Sequence, residues 1–340
     1  MIQQRKHWLF VDWMKVIGLY AIILGHFTPP RLQFVTYSFS VQLFFFISGF
    51  LFHTEKENKV FWRKNIILLV VPYFIWGTIR LITYNIKEHN FQTLCYSFTG
   101  LALGCNNFMG VRGCGELWFV VTLFCLKIFS QYVEINRKRL CILVAMSILF
   151  AIGYRNMISS TDLEYYGIGF FDSFVAFPFF AIGLSLSWIK GKVCVWVEWL
   201  HGHFAFLCMT TLVVLILLFM LAEINGVVYV VYGQYGSNML AYILLGTIGI
   251  VDVFFMSIIM SKFSRISQYA KTINVGSIMI LGLHTLLVNK GKTLLEILFS
   301  ENTFIFESSL ALVALLILIT FVPMIKITQK YIPLTIGNRK

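Results

Sequence analysis

Three ionisable residues share one apolar stretch, Val11–Pro30, which reads VDWMKVIGLYAIILGHFTPP: Asp12, Lys15 and His26. Each costs several kcal/mol when it faces hydrocarbon, so a single span that carries all three calls for a reason. Lys15 and His26 are eleven residues apart. At about 100° per residue they fall within about 20° of each other, on one helix face, about 16 Å apart along the axis. Asp12 precedes Lys15 by three residues and flanks the same stripe. That stripe suits a protein interior or a wet cavity. A cation near one mouth can hold an anionic reagent. An imidazole further in can take a proton from a hydroxyl. Plainer readings stand beside this one. Asp12 and Lys15 also fit a pair at the interface with Lys15 snorkelling to water. His26, followed by Thr28, Pro29 and Pro30 within a few residues, also fits a helix-end histidine bonded to backbone carbonyls.

Further polar residues sit in or beside other apolar runs. Glu116 and Trp118 open one of them in GELWF, and Lys127 follows Glu116 by eleven residues on the same face. Lys127 is expected to pair with Asp12 or with Asp252, which lies in a later span. Arg80 lies near the outer end of the third span. His284, in GSIMILGLHTLLV, is the one strongly polar side chain deep in its segment. Intramembrane ionisable residues are candidates for function, and structural pairing is the competing role. His53 and Glu57 read as solvated loop residues, and His201 and His203, as HGH at a span entrance, as interfacial ones. No Ser-His-Asp set and no metal cluster competes with this constellation. The seven cysteines form no CxxC, and Cys95, Cys105 and Cys114 share one polar segment, which gives a zinc or redox site little support.

The elements that position these residues follow from composition. The chain has 340 residues, 59% hydrophobic and 12% charged, with 34 phenylalanines and a mean hydropathy of +0.81. Soluble domains average about 25% charged residues, so the bilayer is the natural solvent here. The net charge of +12 does not indicate nucleic acid, because the basic residues are scattered between apolar spans. They fit topology signals and contacts to anionic lipid.

The expected fold is an all-α polytopic integral membrane protein, one domain over residues 1–340, with about ten transmembrane helices of about 20 residues each. The spans are expected near Trp8–Phe27, Phe34–Phe52, Ile66–Tyr84, Leu117–Val133, Leu140–Tyr154, Phe171–Ile189, Phe204–Ala222, Met239–Met260, Val275–Val288 and Phe304–Ile327. The first is expected to be an uncleaved span, since no small-residue cleavage site follows it. Basic clusters such as Lys56, Lys59, Arg63 and Lys64, then Arg137, Lys138 and Arg139, recur on one side of this arrangement. The other side is sparser, with Arg31, Lys87, Arg112, Arg155, Lys290 and Lys292. By the positive-inside bias both termini are cytoplasmic. Two outer segments stand out. Asn85–Gly115 ends glycine-rich and reads equally as a lid-like or re-entrant segment and as a plain flexible loop. Glu223–Asn238 has several tyrosines and no Lys or Arg, which suits an outer interface. No internal repeat suggests the paired halves of a transporter.

Together these residues resemble the membrane acyltransferase-3 family, in its fucose 4-O-acetylase-like or polysaccharide O-acetyltransferase branch. DWMKVIGLYAIILGH looks like the family's Arg/Lys-x10-His signature on the first span. FSVQLFFFISGFLF resembles its Phe-rich run closing in Ser-Gly-Phe/Tyr, KNIILLVVPYFIW its Lys-Lys…Pro-Tyr segment, and GELWFVVTLF its Leu-Trp-Phe element. LGLHTLLV is similar to its late Tyr-Leu-x-His element, with Gly282 and Leu283 where aromatic residues are common. The resemblance covers nearly the whole chain.

The resemblance implies acyl transfer, usually of acetyl, from cytosolic acyl-coenzyme A (acetyl-CoA) to a sugar hydroxyl. The acceptor is an envelope polysaccharide or its lipid-linked glycan precursor, and the setting the inner membrane of a bacterium. By this match His26 is the catalytic histidine and Lys15 its basic companion. Lys15 keeps the charge of the usual arginine and loses its bidentate fork, so phosphate recognition is shared with other residues. Lys15, Lys127 and the basic rim of Arg63 and Lys64 are expected to take the coenzyme A phosphates. Asp12, Glu116, Trp118 and His284 are expected to support the site: Glu116, Trp118 and the Asn85–Gly115 loop by lining the acceptor side, His284 by holding the oxyanion or orienting the acceptor. Direct attack and an acyl-histidine relay both stay open. The expected partners are acyl-CoA, the glycan or glycolipid and membrane lipid, with no metal and no nucleic acid; the oligomeric state is not set. Two other classes remain: a transporter or flippase for lipid-linked sugar, and a non-catalytic scaffold.

Overall fold

The computed structural model describes residues 8–27, 30–85, 90–159, 168–298 and 304–337. The terminal basic residues expected to mark the cytoplasmic ends, and Lys87 among the outer ones, lie outside the described residues. The helices are α1 (Leu9–Phe27), α2 (Pro30–Leu51), α3 (Asn58–Asn65), α4 (Val71–Asn85), α5 (Phe91–Leu103), α6 (Trp118–Tyr132), α7 (Arg137–Ser159), α8 (Gly169–Ser187), α9 (Lys190–Gly202), α10 (Phe204–Asn225), α11 (Met239–Ser261), α12 (Ser264–Val275), α13 (Ser277–Leu298) and α14 (Phe304–Tyr331). Two short hairpins complete the fold: β1 (Asn107–Phe108) with β2 (Val111–Arg112), and β3 (Val228–Tyr229) with β4 (Gln234–Tyr235).

Among the described residues, eight helices are long and apolar enough to cross a membrane, α3 and α4 counting as one that runs through a π turn at Ile66–Val70, and up to nine if a bent pair counts as one span. The bent pair is α12 and the first part of α13, which meet at 87° around Gly276. This is an all-α, multi-pass membrane protein with fewer such helices than the ten expected. The expected fourth span is the main difference. Its run begins as a tight 3-10 turn at Gly115–Leu117, leaving α6 with 15 residues. That is about 22 Å of helix, short of the roughly 30 Å hydrocarbon core. The expected ninth span, Val275–Val288, forms the start of α13, with amphipathic α12 before the bend.

α1 lies inside the bundle, packed by α2, α11, α13, α14 and α12. α2 packs most extensively on α8. Gly49 and Gly183 permit this: a Cβ at either would lie 2.0 Å from a carbonyl oxygen of the facing helix, Phe180 O or Phe46 O. Small residues of this kind let membrane helices approach closely, where no hydrophobic drive from water exists. α10 is turned outward, with Met209, Leu212, Val213, Ile216 and Met220 exposed, as suits a helix against lipid.

The described part of Asn85–Gly115 is an ordered cap, which corrects the flexible-loop reading. Asn90 caps α5 by accepting from the Gln92 amide, and Gly104 ends it with a left-handed φ of 70°. The Tyr73 hydroxyl of α4 donates to Leu101 O at 2.6 Å and ties α5 down. Glu223–Asn238 is likewise built, as the β3–β4 hairpin around a 3-10 turn at Val230–Tyr232.

Candidate active site

Lys15 and His26, on one face of α1, line two different cavities. One has a volume of about 490 Å³ and is bordered by Lys15, Lys64, Lys127, His53, Glu55 and Asn274. The other, about 220 Å³, is bordered by His26, Tyr37, Asn106, Glu116, Trp118 and Tyr229. Phe119 and Leu281 stand in the lining of both. The two cavities are neighbours that meet at these two side chains.

The first cavity is basic. Helix α3 ends in Arg63 and Lys64. Lys64 turns to the cavity and donates to Glu55 Oε1 at 2.5 Å, and His53 Nε2 lies 2.8 Å from the same oxygen. The Lys64 hydrogen bond holds the Glu55 carboxyl below the usual carboxylate range. Arg63 is exposed on the outer face of α3 and does not line the cavity. Lys127 reaches it from α6 beside Lys15 and Lys64. The expected ion pair of Lys127 with Asp252 is absent: Asp252 is buried on α11 and lines neither cavity. Helical period placed Lys127 correctly on its face but gave no information on which helix lies opposite. Asp12 accepts from Asn274 Nδ2 at 2.5 Å, and Asn274 itself lines the cavity two residues before the α12–α13 bend. Asp12 thereby fastens that bend to α1.

His26 lines the second cavity, and the buried His284 packs against the His26 ring. His26 Nδ1 lies 3.2 Å from the Tyr37 hydroxyl of α2, a side-chain partner in place of the backbone carbonyls of the helix-end reading. The His26 and His284 rings lie 5.0 Å apart, centroid to centroid. His284 Nδ1 is 3.1 Å from both Ile280 O and Leu281 O. Carbonyl oxygens only accept, so Nδ1 carries the proton of the neutral ring and Nε2 presents its lone pair. Nε2 is buried and has no partner among the described residues.

Glu116 lines the second cavity and pairs with Arg80 of α4, Nη2 to Oε2 at 2.7 Å. Trp118 lines it one helical position into α6. The two hairpins close it. The Tyr229 hydroxyl donates to Gln33 Oε1 at 3.1 Å, and Asn106 Nδ2 donates to the Tyr232 hydroxyl at 2.9 Å. Sequence reasoning did not single out Tyr37, Asn106, Tyr229 or Tyr232, which come from loops and a second helix. Arg80 was visible as an ionisable residue in a span, but not as the partner of Glu116. His201 lies outside both cavities, where its Nε2 is 2.9 Å from Ser261 Oγ and links α9 to α11. Among the described residues no group of three or more His, Cys, Asp or Glu side chains is set to hold a metal ion.

This arrangement offers a cationic pocket for an anionic reagent, an imidazole pair for proton transfer, and a shared wall where the two meet. No curated protein and no solved structure matches the chain. Residues 8–327 match a family model described as an acyltransferase domain. That match spans nearly the whole chain and agrees with the resemblance carried by the Lys15–His26 motif, so the protein belongs to the acyltransferase-3 family and is a membrane acyltransferase.

Proposed function

We propose that the protein is an O-acyltransferase of the bacterial inner membrane. It moves an acetyl or other short acyl group from cytosolic acyl-CoA to a sugar hydroxyl of an envelope polysaccharide or lipid-linked glycan. The observation that carries this reading is the wall that the two cavities share at Phe119 and Leu281. A thioester anchored by its phosphates in the basic cavity reaches the histidines across that wall.

In this reading the basic cavity opens to the cytosol, with the N-terminus on the same side. Lys15, Lys64 and Lys127 receive the donor's phosphates as point charges. The acceptor sugar enters the second cavity between the two outer hairpins, beside Trp118 and Tyr229. His26 removes the proton from the sugar hydroxyl as its oxygen attacks the thioester carbonyl. The carbon–sulfur bond breaks, the ester forms, and the proton on His26 passes to the departing thiolate. Tyr37 steadies the His26 ring, and Glu116 stabilises the imidazolium, as a carboxylate does beside a catalytic histidine.

Mass spectrometry of envelope glycans from cells with and without the protein tests the acceptor class. The expected result is the loss of an acyl-sized increment on a defined sugar when the protein is missing. Identical glycan masses in both cell types overturn the reading.

A further inference from the structure

We propose that Arg80 is a positioning residue for this site: it fixes the Glu116 carboxylate, charged, opposite the His26–His284 pair. The inference rests on the reading of His26 as the base.

Arg80 is the largest fully buried side chain among the described residues, at 1% exposure. A guanidinium inside a membrane bundle is costly by several kcal/mol unless an opposite charge meets it. Glu116 is that charge, at 2.7 Å. The pairing depends on the residue before Glu116. Gly115 has a φ of 50°, and a Cβ there would lie 2.0 Å from Arg80 Nη2. The chain thus gives up a side chain at 115, in a strained backbone region, so that the guanidinium can occupy its place.

Arg80 is also held from its other side. Tyr84, one turn further along α4, has its ring 5.2 Å from the Arg80 guanidinium carbon and 5.0 Å from that of Arg112 on β2. The Tyr84 hydroxyl donates to Thr285 Oγ1 at 3.3 Å, and Thr285 is the neighbour of His284. Arg80 pairs with the turn carrying Glu116, and the Tyr84 ring it faces meets the β1–β2 hairpin at Arg112 and the helix carrying His284 at Thr285. Arg80 lines neither cavity, whereas Glu116 lines the one that holds His26. Arg80 therefore acts on the reaction through Glu116.

The role makes a specific demand. The carboxylate must be ionised at the pH where His26 accepts its proton. Without Arg80, the half-buried Glu116 loses the cation that favours its charged form, and the imidazolium loses its counter-charge. The test measures free thiol released from acetyl-CoA by purified full-length protein, with a total envelope glycan extract as acceptor, across pH. Arg80→Gln is expected to lower kcat by about 100-fold and to move the acid limb of the kcat profile to higher pH. The donor KM is expected to stay within about twofold, because Arg80 is not in the basic cavity. Arg80→Lys is expected to keep the acid limb in place with a smaller loss of kcat. The double variant Arg80→Gln/Glu116→Gln is expected to be no slower than Glu116→Gln alone, since both act as one unit.

An Arg80→Gln variant with the parent's kcat and acid limb overturns the proposal, as does an additive double variant. If Arg80→Gln does not purify folded, Arg80→Lys decides: a displaced acid limb in that variant, where the charge is retained, contradicts the assignment. A parent protein that releases no thiol refutes the acyltransfer reading itself. An active parent with an equally active Arg80→Gln refutes the positioning role alone.

Discussion

Phe119 on α6 and Leu281 on α13 border both the basic cavity and the histidine cavity, so the two chambers share a wall of two side chains. Phe44 of α2, which lines the basic cavity, has its ring 6.3 Å from that of Phe119. In the proposed reaction the donor's thioester crosses here and water does not.

Truncating the wall is therefore expected to uncouple the reaction. Phe119→Ala opens the partition, and water admitted to a closed site competes for reactive acyl groups. Thiol release from acetyl-CoA without any glycan is expected to rise several-fold relative to transfer. A side-by-side assay of thiol and acylated glycan checks this; an unchanged ratio argues that the donor reaches His26 by another route.

Donor affinity is expected to follow the basic cavity. Lys15→Ala removes one of three ammonium groups that line it. The expected outcome is a donor KM raised by about tenfold, close to the 1.4 kcal/mol of one partly screened charge contact. Lys15→Arg is expected to retain the parent value. Arg63→Ala, which changes an exposed residue outside the cavity, is expected to leave it unchanged.

The Glu55 cluster at the mouth sets a pH dependence. The carboxyl is held below its ordinary value by the Lys64 hydrogen bond. A depressed carboxylate contributes stability above the unfolded value of about 4.3, and that contribution is lost as pH falls through the lower, folded value. Glu55→Gln is thus expected to cost up to about 1 kcal/mol at neutral pH. The difference from the parent closes as the pH drops below about 4. Thermal unfolding of both proteins at several pH values measures it; a gap that widens on acidification contradicts the account.

The α2–α8 contact is expected to be intolerant of any side chain at its glycines. Gly183→Val puts its Cβ where Phe46 O already lies, 2.0 Å away. Overpacking of this kind costs about 1–3 kcal/mol. A lower unfolding temperature and reduced yield in detergent are expected, and a variant as stable as the parent shows that the helices are not in close contact.

The helical period was enough to put Lys15 and His26 on one face, because both lie on one uninterrupted helix. His284 also came from a simple signal, a single strongly polar side chain in an apolar run. The Arg80–Glu116 pair was not legible: its members are on different elements, and the contact depends on a backbone turn at Gly115. The helices α9 and α12 read as loops because their charged residues mask a half-apolar pattern, and α6 read as a full span because hydropathy does not register the 3-10 turn before it. Tyr37 of α2, and Tyr229 and Asn106 on or beside the hairpins, meet in the cavity of His26 and Glu116 only through tertiary folding, for which sequence spacing carries no signal.

The central claim is that His26 is the base for acyl transfer. The direct measurement is the single-turnover rate of acyl transfer from acetyl-CoA to an envelope glycan extract by purified parent protein and by His26→Ala, with donor binding measured on both. Unchanged donor binding and a loss of about 100- to 10,000-fold in transfer are expected. A His26→Ala protein that transfers at the parent rate contradicts the claim.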